Sequence, residues 1–178
     1  MFSLNEKVVY PGHGVARINR IVIKHVAGHE TSFFELKFLN KDMTVLIPMH
    51  NLTSVGIRRL STVDRIDDIF KTLAEPSTKS AVDVMGVNWN KRNKRYQEDI
   101  RRGNLESICR IYRDLQYMSA YKELSFGEKT LLQQTEAMIA QEISLVRDVE
   151  ENKAVEQLRS VIANGVRRFS TSSNTMSL

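Results

Sequence analysis

At 178 residues, 42% of them hydrophobic, with 26 basic against 21 acidic side chains, the chain can form one domain or two small ones, each with an apolar core. Its net charge of +5 and pI near 9.4 permit a polyanionic partner without demanding one. A single cysteine, Cys109, excludes an intrachain disulfide framework. Met1–Tyr10 lacks the apolar centre of a signal peptide and no apolar run is long enough to span a bilayer, so we expect a cytoplasmic protein without membrane contact.

The first sixty residues read as β structure. Lys7–Tyr10 is a short apolar run ended by the turn pair Pro11-Gly12, and Val15–Ile23 is rich in β-branched residues and leads to a turn at Ala27-Gly28-His29. Phe34, Leu36 and Phe38 alternate with Glu35 and Lys37, the pattern of a half-buried strand. Asn40-Lys41-Asp42 is a turn, and Thr44–Ile47 is a strand stopped by Pro48. Short strands at this spacing predict a small bent sheet or barrel.

After Leu60 the period changes. Ser61 with Asp64 predicts a capping box for a helix carrying Val63, Ile66, Phe70 and Leu73 and ended by Pro76. We read 75–87, with proline, serine, threonine and glycine, as a linker. Residues 88–102, NWNKRNKRYQEDIRR, hold the only tryptophan and predict a helix closed by Gly103. On a helical wheel Trp89, Tyr96 and Ile100 share one side, within about 40° of one another. Lys91, Lys94, Arg95, Arg101 and Arg102 take the opposite side, with Arg92 between. Trp89 is then either a core anchor of an amphipathic helix or an apolar wedge among cations suited to phosphates, as in minor-groove binders.

Beyond Gly103 the pattern is all helical. Leu105, Ile108, Tyr112 and Leu115 form one stripe, with Cys109 expected as a buried thiol. Ser125 with Glu128 forms a second capping box before Leu131, Leu132, Thr135, Met138, Ile139, Ile143 and Val146. A last helix is predicted over 153–163 from Val155, Leu158 and Ile162. Residues 169–178, rich in serine and threonine, have little to bury.

Signs of chemistry are few. His13, His25, His29 and His50 are accompanied by no ligand cluster at metal spacing, so no metal is expected. No nucleotide loop or nucleophile motif is present. The sequence therefore predicts no enzyme, no catalytic residue and no cofactor. Tyr10, Phe33, Phe34 and Phe38 could line a reader cage, but Phe34 and Phe38 follow a core-facing pattern.

In this order, KVVYPGHGVARI, FFELKF, MTVLIPM and NLTSVGIRRL, followed by NWNKRNKRYQEDI, IYRDL and LSFGEKTLL, resemble the CarD family of bacterial transcription regulators over residues 1–150. The first module alone is similar to one carried by transcription-repair coupling factors. The resemblance implies an α+β, two-domain chain. A Tudor-like bent β-sheet or barrel would span 1–60, a bridging helix and linker loop 61–87, and an all-α helical bundle that binds DNA 88–164; the family pattern does not reach the end of the chain, and composition alone reads 165–178 as a tail without fixed structure. The resemblance implies that the β module adds to a sheet edge on the RNA polymerase β subunit, with Lys24, Leu46 and Pro48 at the contact. Leu46 is apolar where some relatives carry arginine. The helical domain would meet promoter DNA at the upstream edge of the transcription bubble. There Trp89 wedges into the minor groove and Lys91, Arg92 and Lys94 hold the backbone, and Arg95 joins them by its place on the wheel. The expected function is a monomeric transcription regulator that stabilises the open complex. The alternatives are a general nucleic-acid-binding protein without polymerase contact, and a protein–protein adaptor.

Overall fold

A computed structural model describes residues 2–75 and 88–174, with side chains described as far as Gly165. The fold is α+β, and it divides into two units, Met1–Leu60 with Arg101–Gly103 and Ser61–Ile100 with Asn104–Leu178.

In the first unit, β1 (Lys7–Tyr10), β2 (Gly14–Val26), β3 (His29–Phe38), β4 (Thr44–Pro48) and β5 (Arg58–Arg59) form one antiparallel sheet. Its order is β4-β3-β2-β1-β5. The alternation along β3 works as read: Phe34, Leu36 and Phe38 are buried and join Val8, Ala16, Ile18 and Ile47 in one core. Leu52, from the one-turn helix α1 (Leu52–Val55), and Ile57 close it. The long β2–β3 hairpin turns on just Ala27 and Gly28, at φ 50° and 82°. Two consecutive positive φ values match the twist of paired strands, which is why a two-residue turn suffices.

The second unit holds α2 (Val63–Ala74), α3 (Trp89–Arg102) as far as Ile100, α4 (Leu105–Tyr121), α5 (Phe126–Arg147) and α6 (Glu151–Asn174). All five contribute to one apolar core, including Ile66, Leu73, Tyr96, Leu115, Ile139 and Leu158. The expected bridging helix is thus a member of the bundle. Its stripe of Ile66, Ile69 and Leu73 is an apolar face that must be covered, and the helical core covers it. Most of the expected linker, 76–87, lies outside the described residues.

The capping expectations divide. Ser125 and Glu128 form the reciprocal capping box at the start of α5. Ser61 does not cap α2, which corrects that reading; Thr62 does, its hydroxyl accepting the Arg65 N–H at 3.3 Å. Ser61 donates both its backbone N–H (2.9 Å) and its hydroxyl (2.8 Å) to one carboxylate oxygen of the buried Glu142 on α5. We expect Ser61→Ala to lower stability by about 1.5–3 kcal/mol, the range for a hydrogen bond to a charged group. This is readable as a fall in the urea midpoint at unchanged slope.

Gly103, at φ 68°, ends α3 as read. Cys109 is buried, and burial pushes its thiol well above the ordinary range, which leaves it inert. The last helix runs further than the 153–163 expected, because α6 continues to Asn174. The backbone of the expected unstructured tail is therefore helical over 165–174, and 175–178 lie outside the described residues. No proline follows Glu151, and an established helix extends by fixing one residue per added hydrogen bond.

Candidate functional site

The start of α3 gathers the tryptophan and the cations. Asn88 accepts the Asn90 N–H at 2.8 Å, the bond of an N-cap side chain. This sets Trp89 at the first helical position. Four and eight residues beyond Arg92, Tyr96 and Ile100 are each 2% exposed and lock the helix onto the bundle. Trp89 itself is half-buried, one part against the core and the other open to solvent. It is neither fully interior nor fully free. Lys91, Lys94 and Arg95 are exposed, and the Arg95 guanidinium lies 5.9 Å from the Tyr96 ring centroid.

Arg92 departs from its expected role. It is 3% exposed and paired with Glu128, itself 2% exposed, so it is not presented to a phosphate. On the wheel Arg92 flanks the buried stripe of Trp89, Tyr96 and Ile100, and the counter-charge of Glu128 on α5 accompanies its burial. The Arg92 guanidinium stands over the Trp89 ring, 5.3 Å from its centroid.

Glu128 collects further donors. Lys122 Nζ lies 3.0 and 3.1 Å from its two oxygens, and the Ser125 backbone N–H donates at 2.9 Å. Burial acts to raise its carboxyl, but the Ser125 N–H and Lys122 outweigh it and hold the group below the ordinary carboxylate range. Next to it, Gly127 lies against the indole: a Cβ there would stand 3.0 Å from Trp89 Cζ2. One residue earlier Phe126 is 87% exposed, and Tyr121 at the end of α4 is 50% exposed. In the sequence, LSFGEK is legible through its capping box, and Phe126 within it draws no separate expectation. The available signal was an aromatic on the first turn of a helix, out of step with the stripe of Leu131, Thr135 and Ile139.

In the first unit, strand register brings the other expected residues together. Lys24 pairs with Thr31, Pro48 with Phe33 and Leu46 with Glu35. Thr31, Phe33 and Glu35 are two apart along β3, so Lys24, Pro48 and Leu46 share one face of the sheet, opposite Phe34 and Leu36. Lys24 is exposed, while Leu46 and Pro48 are part-buried. β4 is an outer strand, and such an edge offers backbone groups for pairing with another chain.

Among the described residues no group of His, Cys, Asp and Glu could hold a metal ion, and no helix is long and apolar enough to cross a membrane.

Comparison with known proteins assigns both halves. Residues 68–159 match the model of the CarD C-terminal domain, and residues 2–61 match that of the CarD-like/TRCF RID domain. The chain is 23% identical over 153 residues to YdeB of Bacillus subtilis (strain 168), described as a candidate transcription factor. That alignment covers 86% of this chain and 97% of YdeB. Among solved structures, the solution structure of the N-terminal domain of Myxococcus xanthus CarD is similar at 29% identity and a TM-score of 0.29. It covers 33% of this chain and 79% of that one.

Proposed function

The chain belongs to the CarD family of transcription regulators, and on that premise we propose that it holds promoter DNA open while docked on RNA polymerase. The β4 edge and the face carrying Lys24, Leu46 and Pro48 bind the polymerase β subunit. The first turn of α3 meets the upstream edge of the bubble. The observation that carries this reading is the part-buried lone tryptophan among the exposed Lys91, Lys94 and Arg95, with the bare ring of Phe126 next to Gly127.

A bubble recloses when its upstream edge re-pairs. An indole inserted there opposes reclosure, because unstacking a step costs roughly a few kcal/mol, and about 1.4 kcal/mol is a tenfold change in an equilibrium. With Arg92 withdrawn, Lys91, Lys94 and Arg95 supply the phosphate contacts. Three such contacts give weak binding whose log–log salt slope is about −3. Docking on polymerase makes this an intramolecular event at high effective concentration, so neither half has to bind tightly alone.

The test is open-complex lifetime on a promoter that melts poorly. We expect the wild type to prolong it and Trp89→Ala to lose most of that gain while still binding polymerase. Leu46→Asp should lose polymerase binding and the gain together. Equal lifetimes with wild type and Trp89→Ala would make Trp89 a core residue and the wedge wrong. Tight binding to bare DNA with no dependence on polymerase would favour a general nucleic-acid binder.

A further inference from the structure

We propose that Glu128 is a positioning residue for the Trp89 wedge. Beyond its packing on the helical core, two features bear on the indole: the guanidinium of Arg92 lies over its ring, and Gly127 leaves room for it, since an added Cβ there would stand 3.0 Å from Cζ2, 3.4 Å from Cε2 and 3.5 Å from Nε1. Glu128 governs both. Its carboxylate binds Arg92, and as the third residue of the capping box it sets the first turn of α5, where Gly127 sits.

A buried ion pair is a weak source of stability, since well-packed apolar residues of equal volume do as well or better. What the pair supplies and apolar residues do not is direction. The guanidinium is fixed by its partner and held over the ring, 5.3 Å from its centroid. A group that must enter between base steps works only if its rotamer is held by such neighbours. Glycine at 127 completes the seat, because any side chain there meets the indole: even the first carbon of one would stand 3.0 Å from it. This role rests on the proposed DNA contact of Trp89, but its first readout does not.

Trp89 is the sole tryptophan, so emission excited at the red edge of the indole band, where tyrosine does not absorb, reports on it alone. The experiment measures emission maximum and acrylamide quenching of the free protein, then binding to a labelled fork-junction DNA. It uses wild type, Glu128→Gln, Gly127→Ala and Trp89→Ala. Gly127→Ala keeps the ion pair and favours the helix, so it moves the indole even if Glu128→Gln disturbs folding. We expect both variants to shift emission to the red, raise quenching and weaken fork binding by about tenfold. In the Trp89→Ala background neither should weaken it further. Unchanged emission and quenching in Glu128→Gln overturn the positioning role, whatever Gly127→Ala does. So does a loss of fork binding that persists in the Trp89→Ala background. If Trp89→Ala alone leaves fork binding intact, the DNA reading itself falls, and the positioning role falls with it.

Discussion

Glu128→Ala should destabilise the helical unit by about 3–5 kcal/mol, the cost of breaking a buried ion pair by removing one member. The other member is Arg92, at 3% exposure, whereas Lys122, at 40%, can turn to water. The expected result in urea is a lower midpoint with an unchanged slope. Arg92→Met combined with Glu128→Leu should recover most of the loss, because no charge then remains to desolvate. A double variant as weak as Glu128→Ala would show that packing, and not the broken ion pair, sets the cost.

The same group predicts an acid response. The Glu128 carboxyl sits below its unfolded value, so its stabilisation is complete above about pH 4.3, the ordinary glutamate value. It is lost as pH falls through the folded value. Glu136 acts in the same direction: burial would raise it, but Arg159 and Tyr112 hold it low. Asp114 has the opposite sign. Burial raises its carboxyl, so it adds stability as pH falls toward the ordinary aspartate range. Stability followed by urea titration between pH 6 and pH 3 should fall steeply only at the acid end. The fall should be shallower in the Arg92→Met/Glu128→Leu double variant.

Phe126→Ala should leave stability within about 0.5 kcal/mol of wild type, since an 87% exposed ring has little to lose. On the proposed reading it should cost about 1–3 kcal/mol of fork-DNA binding, the worth of stacking one base on an aromatic. Equilibrium binding to fork DNA, with urea unfolding alongside, checks both halves. Unchanged affinity would make Phe126 an ordinary exposed residue and leave Trp89 alone at the DNA face. A fall in stability would mean that the ring packs on something in solution.

The elements were largely legible because they depend on spacing along the chain. Phe34, Leu36 and Phe38 alternate, so one side of β3 had to be buried. Leu105, Ile108, Tyr112 and Leu115 recur at helical intervals, and all four are interior. Gly103 and the Ser125–Glu128 box mark helix ends through bonds made within a few residues. The candidate site was legible only in part. Trp89 and its cations stand out in composition, and the face shared by Lys24, Leu46 and Pro48 follows once strand register is known.

What local pattern could not decide was who meets whom across distance. Arg92 lies between the two sides of its wheel, and as an interior residue it is paired with Glu128, 36 residues away. Ser61 has the right neighbour for a capping box, yet Glu142, 81 residues on, takes its hydroxyl. Thr62 could cap in its place because the energy separating two adjacent caps is small. The sequence by itself determined which residues alternate, which recur at helical spacing and where the charge collects. Tertiary structure decided which polar groups are buried and with what partner. A buried charge is tolerated only where a counter-charge or hydrogen-bond donors meet it, and that depends on how the helices pack, which no short window of sequence contains.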